Sequence, residues 1–93
     1  MVKHVVMWRY EDKANIEKAR QALESMPGKV EGLKNLQVGK DFLGSPASYD
    51  LVLITEHDSR DQLDTYQADP VHCKVKELLG SFKSERAVVD FEI

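Results

Sequence analysis

An α+β fold is what this sequence predicts, with one antiparallel sheet and helices on a single face of it. Three observations lead there. Runs of β-branched and aromatic residues recur at 2–10, 32–42, 49–57 and 87–93. A helical apolar period lies between the first two runs, and another between the last two. The 93 residues leave room for one domain, residues 1–93.

The first run, "VKHVVMWRY" (2–10), reads as a strand. Val2, His4, Val6, Trp8 and Tyr10 share one face, while Val5 and Met7 put apolar groups on the other. In "EDKANIEKARQALESM" (11–26), Ile16, Ala19, Leu23 and Met26 form a helical stripe, and Pro27-Gly28 stops it. "GLKNLQVGKDF" (32–42) is a second strand, "LGSPASY" (43–49) a loop, and "YDLVLITEH" (49–57) a third strand that is continuously apolar from Leu51 to Ile54. His57 is expected to be exposed, as the last residue before a helix cap. Ser59 with Gln62 reads as that cap, opening a helix to about Ala68. Pro70 ends this helix, and Asp69-Pro70 starts the next at 70–80, since Asp caps well and Pro suits the first helical position. "AVVDFEI" (87–93) alternates cleanly and is the last strand.

The order β-α-β-β-α(α)-β is the ferredoxin-like split βαβ arrangement, an antiparallel four-stranded sheet. Its helices cover one face only. Strands one and three nevertheless carry apolar residues on both faces, so the open face needs a cover. A second copy supplies it most simply, and a homodimer with facing sheets, a dimeric α/β barrel, is expected.

Composition narrows the function. Thirteen basic and 16 acidic residues, net charge −3, form no basic block, so no nucleic-acid partner is expected. No stretch has the length or composition of a signal peptide or membrane span. The lone Cys73 fits a reducing compartment, and a cytoplasmic location is expected. The three histidines lack metal-ligand spacing, "GSPAS" is not a phosphate loop, and no cofactor or metal is expected.

The chemistry-bearing stretch is "DTYQADPVHCK" (64–74). Tyr66 ends one helix and His72 falls at the third position of the next, so the kink can bring the two side chains together. An imidazole takes a proton near pH 7, and a phenol donates one or hydrogen-bonds a carbonyl oxygen. The helix N-terminus disfavours charge on His72, and the Asp69 carboxylate favours it. His4 shares a strand face with Val6 and Trp8 and can join the pair. Trp8, Phe42 and Phe82 are candidate apolar walls for a substrate. The alternative is structural: a tie across a helix junction and a hydrogen-bonded core histidine.

"VKHVVMWRY", "GKDF", "YDLVLITEHDSRDQLDTYQADPVHCKV" and "VVDFEI" together resemble the stress-responsive dimeric α/β-barrel domain family. The resemblance spans nearly the whole chain and is most specific from Tyr49 to Val75. It implies a ferredoxin-like subunit in a homodimeric barrel. Many members look like small domains of unassigned activity, and a plant branch holds polyketide cyclases of the olivetolic acid cyclase type. By that resemblance the catalytic histidine falls on His72, the helper tyrosine on Tyr66 and a first-strand pocket histidine on His4. A pocket histidine of the cyclase on strand three is replaced by Leu51, and the histidine just before the cyclase's proline by Asp69. The expected function is binding of a small apolar or aromatic carbonyl compound, and whether the His/Tyr pair also transforms it without cofactor is left open. The alternatives are a non-catalytic stress or structural homodimer and a cofactor-free monooxygenase-like enzyme.

Overall fold

The strand richest in β-branched and aromatic residues takes the interior of the sheet. A computed structural model describes residues 1–93. In it β1 (Val2–Tyr10) pairs antiparallel with β3 (Leu51–His57) on one side and β4 (Ser84–Glu92) on the other, and β2 (Asn35–Lys40) adds to β3. The order β2-β3-β1-β4, with α1 (Ala14–Glu24), α2 (Arg60–Ala68) and α3 (Pro70–Gly80) in the connections, is the ferredoxin-like βαββαβ arrangement.

Register decides which side chain meets which helix. Val6 lies between Leu53 and Val88, and Trp8 between Leu51 and Arg86, all on the helix-covered face. The α1 stripe Ile16, Ala19, Leu23, with Met26 beyond it, closes over Val6, Trp8, Leu51 and Leu53 as one buried core. Each large apolar side chain so buried contributes about 1.5–3 kcal/mol relative to exposure.

The other face carries Val5 and Met7 of β1, Val52 and Ile54 of β3, and Ala87, Val89 and Phe91 of β4, in register. No helix covers them, and Val89 and Phe91 are exposed. The apolar set of β4 therefore turns away from the helices, and Val88, Asp90 and Glu92 lie on the helix side.

Some element ends differ from the sequence expectation. α1 starts at Ala14, with Lys13 at its N-cap, so Glu11 and Asp12 precede the helix, and the Ala14 N–H is accepted by the Asp12 carboxylate at 3.0 Å. β2 begins only at Asn35, because Gly32 has a left-handed backbone (φ 79°) and belongs to the approach loop. β4 begins at Ser84, since backbone pairing with Tyr10 and Arg9 continues past the apolar alternation. No helix is long and apolar enough to cross a membrane.

His57 corrects the expectation of an exposed residue: it is fully buried. The pleat puts it on the same face as Leu51, Leu53 and Thr55, under α2. Its Nδ1 lies 2.6 Å from the Gly32 carbonyl and its Nε2 2.8 Å from the Thr55 hydroxyl.

Candidate functional site

The junction at Asp69-Pro70 is built as its residue types dictate. The Ser59 hydroxyl accepts from the Gln62 N–H at 3.2 Å and starts α2. Asp69 leaves helical geometry (ψ 132°), its carboxylate accepts from the N–H groups of Val71 at 2.8 Å and His72 at 3.2 Å, and Pro70 opens α3. A third N–H, from Glu31, binds the same carboxylate at 3.1 Å. These backbone bonds, Glu31's first, hold the Asp69 carboxyl below the usual range.

The kink lets α3 fold His72 back onto α2. The imidazole stacks on the Tyr66 ring, centroids 3.9 Å apart and planes 24° from parallel. Its Nδ1 lies 2.8 Å from the Tyr66 carbonyl oxygen. A carbonyl only accepts, so Nδ1 donates, and the lone pair of the neutral ring sits on Nε2. Burial lowers the His72 pKa to about 4, against the opposing pull of that carbonyl. His72 is therefore neutral at physiological pH.

His4 approaches from the sheet. Its ring meets the Tyr66 ring edge-on at 6.1 Å, and its Nδ1 is held by the carboxylate of Asp90, its register partner on β4. The Nε2 atoms of His4 and His72 have no protein partner. Tyr66 is sandwiched more deeply, with His57 4.8 Å away on a tilted plane. Its hydroxyl is buried without a hydrogen-bond partner of good geometry. Burial raises its pKa, and the neighbouring Thr55 hydroxyl offsets only part of that rise.

Beside this cluster lies a cavity of about 270 Å³ between the sheet, α1 and α3. Its walls are apolar: Val6, Trp8, Leu23, Leu53, Val75 and Leu79. His4, His72 and Gln67 supply the polar atoms of the interior. Lys76 and Gly80 of α3 and Ser84 and Arg86 of β4, all exposed, form the mouth. The size is just below the range of ligand sites, about 300–1,000 Å³, and an apolar wall with few polar groups is their usual composition.

The structure thus brings His72, His4 and Trp8 to one cavity. Tyr66 touches both histidines but forms no part of the cavity wall, so its ring supports them and its hydroxyl does not reach the space. Phe42 and Phe82 are not walls. Phe42 is 94% exposed in the β2–β3 loop, and Phe82 packs edge-on against Tyr10 at 6.1 Å, outside the cavity. Sequence reasoning missed Asp90, Gln67, Lys76 and Arg86. The register of β4 against β1 was the one signal that could have placed Asp90 beside His4, and nothing local marked the others. Among the residues described, no three histidine, cysteine or carboxylate side chains gather as a metal site.

No protein of curated function matches the chain. Solved structures do. A dimeric ferredoxin-like protein of unknown function from Thermobifida fusca is 24% identical with a TM-score of 0.86, covering 99% of this chain and 90% of that one. A dimeric protein of unknown function and ferredoxin-like fold from Bacteroides fragilis is 26% identical with a TM-score of 0.83, covering 99% and 95%. An antibiotic biosynthesis monooxygenase is 17% identical with a TM-score of 0.73, covering 100% and 98%. The match to the stress responsive A/B barrel domain runs from residue 2 to residue 93, with the sheet order just described, and the chain belongs to that family.

Proposed function

We propose that this protein is a homodimer, its sheets packed face to face, in which each subunit takes one small apolar or aromatic carbonyl compound into the cavity beside His72. The observation that carries the reading is the cavity itself: apolar walls with two imidazoles whose Nε2 atoms have no protein partner. The uncovered stripe from Val52 to Phe91 and the dimeric state of the Thermobifida and Bacteroides proteins support the pairing of sheets. The likeness to a monooxygenase carries the fold alone, and no cavity residue points to oxygenation.

The same geometry supports proton transfer as the chemistry. Neutral His72 offers a lone pair on Nε2 and acts as the base, while Gln67 has a side-chain amide to hydrogen-bond the substrate oxygen. With a pKa near 4 the imidazole is unprotonated at neutral pH but weak as a base. Its substrate is accordingly an activated carbon acid, with hydrogens between two carbonyls. His4, oriented by Asp90, lines the same wall.

Benzoylacetone tests this. Trp8 is the only tryptophan and lines the cavity, so its fluorescence reports occupancy. Quenching that saturates, and deuterium exchange between the carbonyls faster than without protein, are expected, with both lost in His72→Ala while the dimer mass persists. Unchanged binding and exchange in His72→Ala overturn the reading. In that case the His72–Tyr66 contact, which ties α3 to α2, is structural, and the protein is a non-catalytic dimer.

A further inference from the structure

The mouth of the cavity has a charge pattern that a neutral ligand does not explain. The chain has four arginines and a net charge of −3. Arg9 binds Glu85, Arg20 binds Glu17 and Glu24, and Arg60 binds Glu92. Arg86 has no carboxylate or hydrogen-bond partner, although acidic residues outnumber basic ones, 16 to 13. It lies opposite Trp8 on the helix-covered face of the sheet, at the cavity mouth. Lys76 faces it from α3, its amino group anchored at 2.8 Å to the Gln67 carbonyl, so it is held at the mouth. No aspartate or glutamate lines the cavity. Asp90, on the same strand, engages His4 with its carboxylate.

Two cations over an apolar chamber, with no acidic wall, match a molecule that is apolar at one end and anionic at the other. The guanidinium fork suits a planar carboxylate, which it can bind through two N–H groups. We infer that the ligand is a small carboxylic acid, its hydrocarbon body against Trp8, Leu23 and Leu79 and its carboxylate between Arg86 and Lys76. This deepens the reading above and rests on it: the carbonyl compound enters body first, and the charged end stays at the mouth.

Benzoylpropionate and its neutral primary amide share a body and differ only in charge. Titration of both against Trp8 fluorescence, near neutral pH and at low salt, is the test. The acid is expected to bind about tenfold tighter than the amide, a difference of about 1.4 kcal/mol. Arg86→Gln is expected to bring the acid to the amide's level, with amide binding unchanged as the control for an intact pocket. Arg86→Lys is expected to restore part of the preference, and added salt to weaken it. Equal affinity of the two probes in the native protein overturns the inference and leaves the pocket reading standing. An acid preference that survives Arg86→Gln combined with Lys76→Gln overturns the placement of the carboxylate. Failure of both probes to reach Trp8 overturns the inference and the pocket reading together.

Discussion

The His72 imidazole lies flat on the Tyr66 ring, 3.9 Å between centroids, and its Nδ1 bonds the carbonyl of the same residue at 2.8 Å. One residue thus supplies both the packing surface and the hydrogen bond that fix the orientation and tautomer of the other. The helix break at Asp69-Pro70 makes this possible, since six residues of continuous helix would put the two side chains on different faces.

That burial has a pH consequence. The folded-state pKa of His72 is about 4, below the ordinary 6.5, so the unfolded chain binds the proton more readily. Its contribution is fully present above pH 6.5 and is lost as pH falls through the folded value near 4. His57, also lowered by burial, acts in the same direction. The shift of His72 corresponds to about 3 kcal/mol at most. Urea midpoints at fixed protein concentration should fall from about pH 6.5 down to about pH 4.5, with a shallower fall in His72→Gln. Equal slopes for the two proteins would show that folding does not lower the His72 pKa.

Tyr66→Phe separates ring from hydroxyl. The hydroxyl is buried without a good partner, and an unsatisfied buried polar group costs about 1–3 kcal/mol. The variant is expected to be as stable as the native protein or more so by about 1 kcal/mol, with ligand affinity unchanged. A large loss of affinity or exchange, beside an unchanged thermal melt, would mean that the hydroxyl reaches the substrate.

Gly32→Ala is expected to be among the most damaging small substitutions. The residue has φ 79°, and an added Cβ would overlap the Gln62 carbonyl oxygen and come 2.9 Å from the Tyr66 nitrogen, both backbone atoms of α2. Left-handed strain costs about 1–3 kcal/mol, and overpacking about as much again. A loss on the order of 3 kcal/mol in denaturant unfolding is expected, with weaker ligand binding because α2 carries Tyr66 and Gln67. A loss within about 0.5 kcal/mol, the range of a neutral surface change, would contradict this account of the loop.

The two caps differ in reach. Ser59 holds one N–H and Asp69 holds three, one of them from outside its helix. Asp69→Ala should therefore lower the melting temperature more than Ser59→Ala, and it alone should shift the amide resonance of Glu31.

Ile54→Lys with Val89→Lys places like charges on the open sheet face without touching the helix-covered core. Light scattering is expected to give a monomer with unchanged far-ultraviolet dichroism. A dimer that survives both charges would place the subunit contact elsewhere.

Residue pattern alone determined the elements and their order. Period-two alternation, the α1 stripe, Ser59 and Asp69-Pro70 each act within a few residues of chain, and the structure keeps all of them. The two-faced apolar pattern of β1 and β3 likewise marked the face that the helices leave open. What only the tertiary structure decided is which polar groups meet. His57 found the Gly32 carbonyl 25 positions away, and His4 found Asp90 86 positions away. Arg86 came to share a cavity mouth with Lys76, from a different element. Sheet register and helix placement make these pairings, and no local period of the sequence encodes them, because each depends on where the rest of the chain has already packed.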